Sequence, residues 1–133
     1  MEDFIVMFVS MFIAGLLSTM NMWVTNYRDI RFSLNDIYMT LLMCGWMFFF
    51  MGAYYEHSSP TLFGLSLVLF MVWCIRTQFL IDITQYKMGM IPHHSMAIHM
   101  SKKLLDKTIE NNDKQFVLNL INTQEKEIEY LKN

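Results

Sequence analysis

An all-α fold, with three membrane-spanning helices followed by an antiparallel helical hairpin, is predicted by the distribution of apolar residues along the 133-residue chain. Hydrophobic residues make up 54% of the chain and charged residues only 17%, an unusual balance for a soluble domain. The apolar residues fill positions 1–83, which predicts a membrane module there and a polar helical hairpin over 84–133. The net charge of −2 and the absence of a basic tract argue against nucleic acid as a partner.

Three apolar windows are long enough to cross a lipid bilayer, which takes about 20 helical residues. They cover positions 4–24, 36–55 and 61–83. The first window differs from a signal peptide because acidic residues, Glu2 and Asp3, stand where a basic segment would be expected. We therefore predict a retained helix and a multi-pass protein whose first partner is the bilayer, in a bacterial inner membrane or a viral or cellular envelope membrane.

The side of the membrane that carries the hairpin can be inferred from loop charge, since Lys and Arg near helix ends favour the cytoplasmic side. One face carries basic residues, namely Arg28, Arg31, Arg76 and Lys87, and the opposite face carries Glu2, Asp3 and Glu56. By this rule the hairpin is cytoplasmic. Arg76 has two interpretations, because it either reaches the headgroups or forms part of a site beneath the hairpin.

Methionine is unusually abundant, with 14 residues, and four of them recur at every fourth position of the second window. Residues four apart share a helix face, so these side chains form a thioether stripe: Met39, Met43, Met47 and Met51. Thioethers suit Cu(I), which favours a transport path. Adaptable helix packing explains the same pattern.

Two adjacent histidines follow the third window, in the run MIPHHSMAIHM over positions 90–100. Gly89 and Pro92 are expected to interrupt any preceding helix, so a new helix is predicted over about 92–105. His93 and His94 then lie at the N-terminal end of its core face. That end of a helix disfavours imidazolium and keeps histidine in its ligand form.

A second hairpin helix is predicted to run to about position 132, and its apolar stripe contains Gln124 where packing alone would favour leucine. Antiparallel packing of the two helices brings Gln124, Glu127 and Tyr130 toward the two histidines. Two imidazoles, a carboxylate and nearby thioethers make a plausible metal site. A cluster of mutually hydrogen-bonded polar groups is the alternative.

The hairpin motif resembles the family catalogued as domain of unknown function 305. The resemblance rests on MIPHHSMAIHM, on the preceding Asp82 and Tyr86, and on the later Ile121-x-x-Gln124-x-x-Glu127-Ile128. One branch of the family is similar over the whole chain, including Arg76-x-Gln78. The resemblance implies a ferritin-like helical fold and a hairpin outside the cytoplasm, against the loop-charge rule. A copper-binding periplasmic relative implies the ligands His93, His94, Met90 and Met96. Leu131 stands where the family often has methionine.

Three functions agree with these patterns: copper binding for homeostasis or tolerance, Cu(I) transport along the methionine stripe, and a structural role in an envelope membrane. No nucleophile with an oriented base is evident, so we expect no enzyme. The hairpin has fewer residues than a self-sufficient core usually needs. We therefore expect a homo-oligomer through the hairpin, with the membrane surface as the alternative support.

Overall fold

The computed structural model describes residues 2–133 and confirms the all-helical fold. Its five α-helices are α1 Glu2–Leu17, α2 Leu34–Tyr54, α3 Ser58–Thr77, α4 Ile83–Leu105 and α5 Asn111–Lys132. Two short 3-10 helices, Met20–Trp23 and Tyr27–Asp29, lie between α1 and α2. The chain forms two compact units, one of residues 1–19 and 34–81 and one of residues 20–33 and 82–133.

Three segments are long and apolar enough to cross a membrane: Glu2–Trp23, Leu34–Tyr54 and Ser58–Thr77. Their outer surfaces stay apolar, with Leu62 and Leu69 each more than 60% exposed, as lipid-facing side chains would be. The third segment ends six residues earlier than predicted. Gln78 adopts a left-handed backbone (φ 51°) and caps α3, so the apolar residues after it belong to a turn.

Close backbone packing joins α2 to α3 in the first unit. A Cβ atom on Gly64 would collide with Phe49 N and stand 2.6 Å from Gly45 O, and one on Gly52 would stand 2.6 Å from Thr61 N. Small residues allow such an approach, which membrane helices use because apolar burial gives little preference over lipid. Tyr38, Met71 and Cys74 form the buried core of this unit.

The second unit combines the hairpin with the connection between α1 and α2. Its buried apolar residues are Ile91 and Ile98 of α4 and Val117 and Ile128 of α5. Residues 20–33, which we had placed in the membrane module, lie in this unit instead. The hairpin therefore obtains part of its packing from its own chain, which reduces the physical need for the second copy that we predicted.

The helix α4 is continuous through Gly89 and Pro92, so the predicted interruption is wrong. Asp82 caps its start, accepting a hydrogen bond from the Gln85 N–H at 2.8 Å. A proline inside a helix removes one hydrogen bond and costs about 3 kcal/mol. Because Pro92 and its neighbour Ile91 are buried in the second unit, tertiary packing offsets that cost.

Candidate functional site

The candidate site is centred on His94, which α4 buries against α5. Only 8% of this residue is exposed, and its Nδ1 lies 2.9 Å from Glu127 Oε2. The approach is close but poorly directed, because Nδ1 has no partner that meets hydrogen-bond geometry. We treat the pair as a short-range electrostatic contact.

Burial lowers the pKa of His94 below its usual value of 6.5. The loss of hydration is the largest cause of the lower pKa, and His93 lowers the pKa further. The nearby charge of Glu127 and the side chain of Gln124 raise the pKa and partly offset these effects. The sequence pattern predicts a helix N-terminus as the cause of this effect. That cause is wrong, because His94 lies in the middle of α4. Desolvation therefore favours the neutral form of this imidazole.

His93 is exposed, although we predicted it on the buried face with His94. Its ring contacts that of His94 edge-on, with centroids 5.8 Å apart. Successive helical residues are about 100° apart around the axis, so only one of two adjacent histidines can face α5 directly. His93 is therefore a solvent-side neighbour of the buried imidazole.

The two predicted thioether ligands lie on different sides of α4. Met90 precedes His94 by four residues and shares its face, whereas Met96 follows by two and lies on another side of the helix. Both side chains are half-buried. Met90 is therefore the thioether that the fold places beside His94, and Met96 is separated from it by the helix itself.

Of the four predicted supporting residues, Gln124 raises the pKa of His94. The other three have different roles. Tyr130 is 73% exposed and its ring lies 5.4 Å from Lys87 Nζ, so its partner on α4 is about two turns before the histidines. Asp82 is the α4 cap. Arg76 is an exposed residue in the last turn of α3, where a cation favours the helix dipole.

Within the described residues 2–133, no group of three His, Cys, Asp or Glu side chains is close enough to hold a metal ion. The predicted set of two imidazoles and one carboxylate therefore gives no three-ligand site for zinc, which prefers four nitrogen, sulfur or oxygen ligands. Thioethers must complete any site here. The residues fit a soft ion of low coordination number and do not fit a hard one.

The methionine stripe of α2 is mostly at the surface of the first unit. Met39 is 58% exposed and Met43 37% exposed, while Met47 and Met51 are half-buried. The Met43 Cε atom lies against Gly15 of α1, 2.8 Å from where a Cβ would be. Met43 therefore packs one helix against another, as the packing alternative requires.

A buried polar cluster in the second unit was missed by the sequence argument. Ser95, fully buried, donates to Asp29 Oδ2 at 2.6 Å and accepts from the Thr25 N–H at 2.9 Å. Lys132 Nζ contacts Asp29 Oδ1 at 2.5 Å. The available signal was weak, because a lone acidic residue in a connection has no periodic pattern. The cluster therefore links residues 20–33, the connection between α1 and α2, to both helices of the hairpin.

Comparison with known proteins supports the resemblance. The family model described as domain of unknown function (DUF305) matches residues 82–133. Uncharacterized protein L153 of Acanthamoeba polyphaga mimivirus is 43% identical over 129 residues, which cover 93% of this chain and 85% of that protein. No solved structure matches the chain, so the ferritin-like fold stays a prediction. The similarity covers the membrane helices as well as the hairpin.

Proposed function

The chain belongs to the DUF305 family, and we propose that its hairpin is a copper(I)-binding module of a membrane protein that serves copper homeostasis or tolerance. The observation that carries the proposal is His94, a buried imidazole whose pKa is lowered by burial and whose Nδ1 faces Glu127. A neutral imidazole is the form that binds metals. The proposal is a binding role without catalysis.

The donor set around His94 favours copper(I) over harder ions. Met90 supplies a thioether on the same face of α4, and His93 supplies a second imidazole next to it. Soft sulfur ligands select Cu(I). Glu127 is a secondary ligand candidate because carboxylates prefer harder cations, and Met96 lies on another side of α4 and is not part of the proposed site.

Glu127 and Gln124 support the proposed site by orienting His94. A carboxylate beside Nδ1 favours the tautomer that carries its proton there and leaves Nε2 free to bind. Gln124 also acts on this imidazole, since it raises the pKa of His94. This assignment explains why two polar residues occur on α5 beside an apolar seam. When bound, copper(I) would be held by His94 and Met90, and these α5 residues would orient the ring.

Three helices that are long and apolar enough to cross a membrane support the proposal that this site belongs to an integral membrane protein. A viral relative that is similar over the membrane helices favours an envelope or host-cell membrane. Resistance of the protein to extraction from membranes at alkaline pH is the expected result. Release into the soluble fraction would contradict the multi-pass arrangement.

A competition titration with a chromophoric Cu(I) chelator tests the proposal on the full chain in neutral detergent. We expect the wild type to bind one Cu(I) per chain. We expect His94→Gln to raise the Kd at least about tenfold, which is a loss of about 1.4 kcal/mol of binding free energy. The matched control is His57→Gln, which changes an exposed histidine of the other unit. Circular dichroism checks that both variants keep their helices.

Equal Cu(I) affinities in the wild type, His94→Gln and His57→Gln would overturn the proposed site. Stoichiometric binding that survives His94→Gln but is lost in Met43→Leu/Met47→Leu would instead assign copper to the α2 stripe. No stoichiometric binding to the wild type would overturn the copper role and leave a structural membrane protein.

A further inference from the structure

A cavity in the hairpin unit is lined by three basic residues. It measures about 240 Å³, and Arg31, Lys87 and Lys132 surround it. Its apolar lining comes from Met88, Ile91 and Leu131. None of these six residues belongs to the proposed copper site, so the cavity requires its own explanation.

Two of the three cations have no acidic partner. Lys132 is paired with Asp29, whereas in the described part of the chain no carboxylate lies within ion-pair distance of Arg31 or Lys87. Lys87 contacts only the face of the Tyr130 ring as a charge partner. Like charges brought together without counter-ions repel one another. The cavity therefore carries a positive potential that an anion would relieve.

Arg31 is fixed in place before any ligand arrives. Its backbone N–H donates to Asn21 Oδ1 at 3.0 Å, and its carbonyl accepts from Asn21 Nδ2 at 2.8 Å. Its Nη1 donates to the carbonyls of Arg28 and Ile30, each at 2.8 Å. Both of these side-chain hydrogen bonds come from the same nitrogen, Nη1, so Nε and Nη2 are not used by them. A guanidinium has five N–H donors in a planar fork that matches phosphate oxygens, so donors remain for a ligand.

One of the cations that line the cavity is close in sequence to a candidate membrane span. Arg31 precedes Leu34, the first residue of α2, by three residues, a distance of at most about 11 Å along an extended chain. Cations next to a membrane span attract anionic headgroups. The mixed apolar and basic lining suits a phosphate that is attached to a hydrophobic chain.

We propose that this cavity binds a phosphate-bearing anion, with an anionic lipid headgroup or a soluble phosphate as its source. Lys87 and Arg31 supply the unpaired charge. The apolar residues Met88, Ile91 and Leu131 contact the adjoining part of a lipid. The cavity and the proposed copper site are independent, so either can fail without affecting the other.

The test measures the unfolding midpoint of the full chain in neutral detergent at constant ionic strength. Three probes are titrated separately: short-chain phosphatidic acid, inorganic phosphate and, as a zwitterionic control, short-chain phosphatidylcholine. A ligand that binds the folded state raises the midpoint in a saturable manner. We expect Lys87→Gln to weaken phosphatidic acid binding about fivefold. Lys103→Gln is the matched control, because it removes an exposed charge on α4 outside the cavity.

Tighter binding of phosphatidic acid than of inorganic phosphate supports the lipid as source, and comparable binding of both supports a soluble phosphate. In either case the Lys87→Gln variant must bind the anion more weakly than the Lys103→Gln variant does. A wild type that responds to neither anion, or equally to phosphatidylcholine, overturns the proposal. So does equal binding by the two variants. The midpoints of both variants without ligand show whether each is folded.

Discussion

Ser95 and Asp29, 66 residues apart in sequence, share a buried hydrogen bond of 2.6 Å. Ser95 lies on α4 and Asp29 in the connection between α1 and α2. Lys132 at the end of α5 contacts the same carboxylate. This contact joins three segments of the second unit, and it lies one residue along α4 from His94. The ring that we propose as a copper ligand is therefore held in a unit that depends on the connection.

Replacing Ser95 with alanine should loosen the connection. The change removes one hydrogen-bond donor from the buried Asp29 carboxylate and the acceptor of the Thr25 N–H. We expect the free energy of unfolding to fall by about 1–3 kcal/mol. Hydrogen exchange of the Thr25 amide should become faster. Ser101→Ala is the control, because it makes the same change on the same helix outside the cluster. Unchanged exchange in Ser95→Ala would show that the hydrogen bond does not hold the connection.

Removing the charge of Lys132 should also destabilise the second unit. Asp29 is 4% exposed, and a buried carboxylate that loses a donor is destabilising, so Lys132→Gln should lower the stability by about 1–3 kcal/mol. Lys126→Gln removes an exposed charge from the same helix and should change stability by less than about 0.5 kcal/mol. Denaturant unfolding in detergent measures both. Equal effects would contradict a stabilising role for the buried pair.

A methyl group at Gly64 should separate α2 from α3. Its Cβ would meet backbone atoms, Phe49 N and Gly45 O, which cannot move without shifting a helix. We expect Gly64→Ala to lower stability by about 1–3 kcal/mol. Gly89→Ala is the comparison, because the nearest atom there is a side-chain oxygen of Ser33 at 3.2 Å. A Gly89→Ala variant less stable than Gly64→Ala would refute the close helix packing.

The burial of His94 predicts a stability that depends on pH. The pKa in the folded state lies below the unfolded value of 6.5, so the unfolded state binds more protons and stability rises with pH. This contribution is complete above pH 6.5 and is lost as pH falls toward the folded-state pKa. His94→Gln should flatten the profile of unfolding midpoint between about pH 8 and about pH 5. A profile that stays as steep as that of His57→Gln would argue against this origin.

The elements were largely predictable from sequence because apolar windows and helical periodicity are local signals. The windows predicted all three candidate spans within a few residues, apart from the ends set by caps such as Gln78. The motif around His94 and Glu127 identified two residues that the fold brings to 2.9 Å. Both signals depend on spacing along one or two helices.

The errors arose where tertiary contacts override local preference. Pro92 ought to interrupt a helix, yet burial of its surroundings keeps α4 intact. Asp29 gave no signal because its partners, Ser95 and Lys132, are distant in sequence. Tyr130 was predicted beside the histidines, whereas its ring contacts Lys87, earlier on α4. Which side chains meet depends on how each helix is rotated about its own axis. Sequence periodicity predicts that rotation only to within a fraction of a turn.

The most direct test of a copper(I) site at His94 and Met90 is X-ray absorption at the copper edge of the Cu(I)-loaded protein. We predict a first shell with both nitrogen and sulfur, and loss of the sulfur contribution in Met90→Leu but not in Met100→Leu, an exposed methionine of the same helix. A first shell without sulfur in the wild type would contradict the account, as would a sulfur contribution unchanged in Met90→Leu.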